Sequence, residues 1–247
     1  MSKNFSSFFG NEKVIIGMIH LAGRDNHEKI ERVLEEIKIC EEEGLDGVIV
    51  EDYHGNLSDV RDTLESLSKN QYKIQIGVNT LRNPYLAFEF ADMYGASFVQ
   101  FDTIQASAGD ENNSKRFNER LYNSLREKYS NIFVFGGVRF KYVPETGKSL
   151  EEDIADGMSK CDAIVTTGEG TGIETPTKKL KEFRKIMGDF PLIVGAGVND
   201  RNIEEQIKIA DGAVIGSYLK NEDTQSEVQR KRVKRLVDLI GGKYLNL

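Results

Sequence analysis

Eight short apolar runs punctuate the chain at intervals of roughly 20 to 35 residues, and apolar positions recur at helical spacing between them. The runs cover 14–19, 47–50, 74–78, 98–101, 132–135, 163–165, 192–194 and 213–215. Most are continuous rather than alternating, as expected of parallel strands covered on both faces. Ile30, Val33, Leu34, Ile37 and Cys40 form an amphipathic stripe that stops before Gly44. Leu180, Phe183 and Ile186 repeat the stripe, as do Ile203, Ile207 and Ala210, and then Val233, Leu236, Val237 and Ile240. Pro84 and Pro176 stand where first-turn prolines belong. Strand alternating with helix eight times in 247 residues predicts a (β/α)8 TIM barrel in the α/β class. It is expected as a single domain over 1–247, with the barrel core at about 13–240. A doubly wound open sheet is the alternative, but it usually has fewer strands and a reversal of strand order.

A weak internal repeat agrees with stacked βα units. Asp46-Gly47, Asp162-Ala163 and Asp211-Gly212 each join a helix end to a strand start. That is the end of a barrel where recurrent residues serve stability, so these aspartates read as structural.

Composition narrows the function classes. With 40 acidic and 33 basic residues the net charge is −7, which disfavours nucleic acid as a partner. The basic stretch Gln229 to Arg235 lies on the last amphipathic stripe without interleaved aromatic residues and reads as a solvated face. No run is long enough for a membrane span, and the first residues lack a signal-peptide pattern. Cys40 and Cys161 read as buried thiols of a cytoplasmic protein rather than a disulfide framework. No His, Cys and Asp set has metal-ligand spacing, and neither a metal nor a cofactor is expected. Oligomeric state is not legible, although many barrels of this size self-associate.

In a barrel, chemistry sits beyond the C-terminal ends of the strands. Glycines gather there: Gly195, Ala196 and Gly197 follow the seventh run, and Gly216 and Ser217 follow the eighth. Small residues let backbone N–H groups approach an anion, so these two loops read as a phosphate cradle. The sixth run ends in Thr166, Thr167, Gly168, Glu169, Gly170, Thr171 and Gly172. It reads as a flexible wall, with Gly168 and Gly170 near the phosphate and Thr167, Glu169 and Thr171 available to substrate. His20, Glu51, Asp102 and Lys141 stand at other strand ends and could supply acid–base or electrostatic catalysis. Of Glu51 and Asp52, Glu51 is expected to face inward because successive strand residues point to opposite sides. Asp102 and Lys141 could pair, and Asn79, Arg82 and Arg139 are candidate substrate contacts. His27 and His54 read as a helix-start and a loop residue. No serine elbow is present and no cysteine ends a strand, which disfavours such nucleophiles; Lys141 leaves Schiff-base chemistry open.

Over about residues 13–240 the chain resembles the BtpA/SgcQ family. The resemblance rests on Ile16-Gly17-Met18-Ile19-His20-Leu21, Asp46-Gly47-Val48-Ile49-Val50-Glu51 and Asn79-Thr80-Leu81-Arg82-Asn83. Thr167-Gly168-Glu169-Gly170-Thr171-Gly172, with Thr175-Pro176 behind it, and Val194-Gly195-Ala196-Gly197-Val198 extend it. Asp211-Gly212-Ala213-Val214-Ile215-Gly216-Ser217-Tyr218-Leu219-Lys220 completes it. The resemblance implies a phosphate-binding barrel similar to the ribulose-phosphate-binding type. Some relatives are associated with photosystem I reaction-centre accumulation, and others lie among sugar-metabolism genes. A phosphoribosylanthranilate isomerase label carried by some members fits poorly, because that isomerase has a cysteine where His20 stands and an aspartate near Gly136-Gly137. Two further departures stand out. Ala22-Gly23-Arg24-Asp25-Asn26 replaces a proline-rich stretch, and Gly137-Val138-Arg139-Phe140-Lys141-Tyr142 keeps only the lysine of Asp-Val-x-Val-Lys-His.

These readings converge on an enzyme acting on a small phosphorylated sugar or a phosphoribosyl or nucleoside-type substrate. Isomerisation, aldol-type cleavage and glycosidic-bond hydrolysis all remain open. The alternative is a non-catalytic assembly or stability factor that uses the barrel as a scaffold, as in photosystem or membrane-complex biogenesis.

Overall fold

A computed structural model describes residues 4–106 and 117–244. Its strands are β1 (Val14–His20), β2 (Gly47–Glu51), β3 (Gln75–Asn79), β4 (Phe98–Phe101), β5 (Phe133–Gly137), β6 (Ala163–Thr167), β7 (Leu192–Gly195) and β8 (Gly212–Ile215). Every strand is parallel to its neighbours, and β1 pairs with both β2 and β8, which closes the barrel. Closure leaves no sheet edge and excludes the open-sheet alternative. The outer ring holds α2 (Asn26–Glu42), α3 (Leu57–Leu67), α4 (Leu86–Tyr94), α5 (Glu119–Lys128), α6 (Leu150–Lys160), α7 (Thr177–Met187), α8 (Ile203–Gln206) and α9 (Arg230–Tyr244). A short helix, α1 (Phe5–Phe9), precedes β1, and a 3₁₀ turn, Ser217–Lys220, follows β8. Among the described residues no helix is long and apolar enough to cross a membrane.

Several strands extend past their apolar runs because the ladder continues through polar residues. His20 pairs in register with Glu51, and Glu51 with Asn79. The helix predicted through Ala210 is shorter than its stripe. α8 ends at Gln206, and turn bonds from Ile209 and Ala210 back to Gln206 complete the link to β8.

The three aspartates at strand starts are structural. Asp46, Asp162 and Asp211 accept the backbone N–H groups of Ile15, Val134 and Leu192 at 2.7, 2.8 and 2.9 Å. Each carboxylate thereby ties its own strand to the one before it. Arg126 and Arg184 reinforce two of them, at 2.6 and 2.5 Å.

The barrel interior is filled from below by aromatic residues. Phe98, Phe133 and Phe135 point inward, and Phe5, Phe8 and Phe9 of α1 stack beneath them. Phe8 lies 4.6 Å from Phe133, ring centre to ring centre. A Cβ on Gly77 would stand 2.4 Å from the Phe98 ring, so that glycine makes room for the aromatic layer. The opening residues, which carry no barrel signal in the sequence, thus close the lower end. The upper end stays open and carries the site.

Candidate functional site

Alternation along the strands decides which strand-end residues reach the mouth. The inward positions beneath it include Ile16, Met18, Ile49, Phe98, Val165 and Val214. Two residues further along the same faces come His20, Glu51, Gln100, Thr167 and Gly216, which line one cavity at the top of the barrel together with Asp102 and Lys141. Asp52, of the opposite parity, is fully buried outside the barrel and accepts the Leu81 N–H at 2.6 Å.

Asn79 joins two acids. Its Nδ2 donates to Glu51 Oε1 at 2.9 Å and to Asp102 Oδ1 at 3.1 Å. One amide nitrogen between two carboxyls keeps the accepting oxygens within about 6 Å of each other. Burial pushes the Glu51 carboxyl up to about 8, with Asp102 adding to the rise and Lys141 opposing it. Burial also raises Asp102, against the Asn79 hydrogen bond and Lys141. The pair therefore retains a proton near neutrality, because two buried carboxyls this close resist ionising together. Lys141 is not within ion-pair distance of Asp102 among the described residues and acts on both acids at longer range.

His20 stands beside the acids, its Nε2 3.7 Å from Glu51 Oε2. Burial holds its imidazole well below the ordinary value, and Lys220 and His54 lower it further against the backbone of Thr224. The His20 ring is thus neutral at pH 7. Lys220 has no exposed surface and donates to the Met18 carbonyl at 2.7 Å.

The opposite wall is backbone. Gly195, Ala196, Gly197, Gly216 and Ser217 line the cavity. Ala196 and Gly197 both take positive φ, +80° and +67°, which turns the chain sharply off β7. A Cβ at Gly197 would stand 2.2 Å from the Glu174 nitrogen, so the loop after β7 packs directly on the loop after β6. Thr175 Oγ1 adds a bond to the Gly195 carbonyl at 3.1 Å. The β6 loop is thus a wall that packs on the β7 loop. Its glycines permit close backbone contact: a Cβ on Gly168 would lie 2.6 Å from the Glu174 carbonyl oxygen.

Other sequence candidates divide between the mouth and its surroundings. Thr167 and Thr171 line the cavity, and Thr167 Oγ1 accepts the Lys141 N–H at 2.6 Å. Arg82 is exposed and binds the Gly55 carbonyl at 3.0 Å, with Asp52 at 3.7 Å. Arg139 turns outward at φ +49° to meet Asp153 at 2.5 Å. Gly168 and Glu169 border a neighbouring cleft with Arg139, and Gly170 is buried under the Tyr142 hydroxyl. In that cleft Lys179 donates to the Arg139 and Thr167 carbonyls, both at 2.6 Å, fixing the strand ends that carry Lys141. Burial and Arg139 lower Lys179 to about 8.

Gln100, Tyr53, Tyr142 and Lys220 belong to the site's surroundings without having been singled out in the sequence. Gln100 carried a signal, a lone polar residue inside the apolar run 98–101. Its Oε1 is buried without a hydrogen-bond partner. Among the described residues no group of three His, Cys, Asp or Glu is arranged to hold a metal ion.

Residues 11–242 match the model of the BtpA family, and the chain belongs to that family. An uncharacterized protein of Pyrococcus furiosus is 27% identical, with 92% of this chain and 94% of the relative covered. The photosystem I biogenesis protein BtpA of Synechocystis is 24% identical over 89% of this chain and 84% of its own length. The putative sgc region protein SgcQ of Escherichia coli is also 24% identical, over 94% and 95%. Among solved structures, N-(5'-phosphoribosyl)anthranilate isomerase of Pyrococcus furiosus superposes with a TM-score of 0.60 at 18% identity, covering 93% of this chain and 99% of the isomerase. At that identity the likeness is one of fold.

Proposed function

We propose that this BtpA-family barrel is an enzyme that performs general acid–base chemistry on a small phosphorylated sugar. The observation that carries the proposal is the Glu51–Asn79–Asp102 bridge, which faces the glycine loops after β7 and β8 across one cavity. Glu51, protonated at neutral pH, donates a proton to the sugar. Asp102 accepts one in its ionised form, and Asn79 fixes the spacing between them. Lys141 stabilises negative charge developing between the acids. Neutral His20 hydrogen-bonds a hydroxyl instead of competing as a cation. The phosphate lies on the backbone of Ala196, Gly197 and Ser217, so a protein of net charge −7 needs no basic surface to hold an anion. The isomerase that shares the fold bears a phosphoribosyl substrate in its name, which supports the same binding mode.

Exposed apolar side chains also favour the mouth as the working surface. Tyr53, Leu81 and Tyr142 line it, whereas Met93 and Leu121 are exposed on α4 and α5. A scaffold role like the biogenesis named for the Synechocystis relative would instead call for a patch on the outer helices.

Thermal melts with ribose 5-phosphate and ribose test the reading. At about 100 times Kd the phosphorylated sugar stabilises by about 2.7 kcal/mol, while ribose produces a far smaller shift. Ser217→Glu places a carboxylate on the cradle and removes the shift while leaving the unliganded melt near wild type. Gly197 is unsuitable for this purpose because any side chain there meets Glu174. Equal shifts from the two sugars, or a Ser217→Glu protein that still responds, would refute it.

A further inference from the structure

We propose that the rim of the mouth is a subsite for a planar heteroaromatic ring, so that the ligand is a sugar phosphate carrying such a ring, as in a nucleoside monophosphate. This deepens the phosphosugar reading above and rests on it. Six large apolar side chains are exposed among the described residues, and four of them, Tyr53, Leu81, Tyr142 and Ile173, gather at one place. The first three line the mouth cavity itself, and Ile173 borders the adjoining cleft with Tyr53, Thr171 and Gly172.

Both tyrosines are held rather than loose. Tyr142 takes a left-handed φ of +60°, unfavourable for a residue with a side chain, and its hydroxyl accepts the Thr171 N–H at 3.0 Å. It nevertheless leaves 75% of the residue exposed, so the bond fixes a ring whose face is unpacked. Tyr53 lies 4.9 Å from the His20 ring at an interplanar angle of 36°, and meets His54 edge-on at the same distance. Fixed aromatic faces bind a planar ring with little conformational entropy to lose.

The cavity is therefore divided by chemistry. Below the rim the paired acids, Lys141 and the unpartnered Gln100 Oε1, all suited to a hydroxylated sugar, stand above the apolar Met18, Val165 and Val214. The rim is aromatic and aliphatic. A bare sugar phosphate satisfies the polar groups and leaves the rim in water, whereas a ring on the sugar covers both. Four side chains are too few for a macromolecular partner, which needs about 20–30 residues a side.

Calorimetric titration of ribose 5-phosphate, adenosine, and the 5'-monophosphates of adenosine and uridine separates the outcomes. At least one nucleotide binds about tenfold more tightly than ribose 5-phosphate. Tyr53→Ala and Tyr142→Ala each weaken nucleotide binding about five- to tenfold more than they weaken ribose 5-phosphate binding, and Tyr53→Phe retains wild-type affinity. Adenosine binding that responds to the tyrosines, without ribose 5-phosphate binding, supports the ring subsite and refutes the phosphate cradle. Ribose 5-phosphate binding as tightly as both nucleotides leaves the cradle standing and overturns the ring subsite. The subsite is also overturned if the tyrosine substitutions weaken ribose 5-phosphate equally, if no probe binds, or if they convert a dimer to a monomer in sedimentation.

Discussion

Replacing Glu51 by Gln should abolish a pH-dependent loss of stability that the buried carboxyl imposes on the fold. The amide keeps the shape and can still accept the Asn79 hydrogen bond, now 2.9 Å long, but cannot ionise. Raising the carboxyl from 4.5 to about 8 corresponds to about 5 kcal/mol between its neutral and ionised forms. The sign follows from proton uptake. Between these two values the folded chain keeps a proton that the unfolded chain has released, so stability falls as pH rises. The contribution is complete below about pH 4.5 and gone above about pH 8. Because Asp102 shares the proton, we expect wild type to lose at least about 2 kcal/mol more than Glu51→Gln between pH 5 and pH 9. Urea denaturation followed by far-UV circular dichroism across this range measures the difference. Infrared difference spectra of the folded proteins should show a protonated-carboxyl band at neutral pH that Glu51→Gln removes. Parallel stability curves and no such band would show that Glu51 is ionised, and its role as proton donor would fall.

Phe9→Ala should cost about 3 kcal/mol in urea denaturation, because it removes a ring packed 5.8 Å from Phe98 and opens the barrel's lower end. Lys220→Met should cost about 3 kcal/mol, since Glu36, 3.8 Å away and equally buried, keeps Arg32 at 2.8 Å as its charged partner and the Val228 N–H at 3.1 Å but loses the second cation. The same substitution should raise the His20 titration in nuclear magnetic resonance, because Lys220 is the second cause, after burial, of its depression.

Local signals carried much of the fold. The apolar runs mark β1 to β8 because a strand buried on both faces has few polar positions. Asp46, Asp162 and Asp211 are legible because the same backbone geometry recurs at each strand start. The strand-end acids and loop glycines are legible because barrel chemistry always sits at one end of the strands. The partners of Arg82 and Arg139 could not be read this way. Both lie close to strand ends in sequence, yet Arg139 leaves at a positive φ to reach Asp153 on α6. Tyr53 and Tyr142 look like ordinary loop residues until folding carries them to one rim.

By itself, the sequence determined the alternation of strand and helix, the inward parity of Glu51, and the placing of small residues after β7 and β8. These follow from side-chain period, burial and backbone freedom, which are properties of short stretches of chain. Only the tertiary structure decided that α1 seals the barrel, that Asn79 bridges Glu51 and Asp102, and that buried Lys220 lies near enough to depress His20. Each depends on residues far apart in the chain being brought within a few ångströms, and charges there interact strongly because water is excluded. No local pattern encodes that proximity; closing the eight strands into a ring creates it.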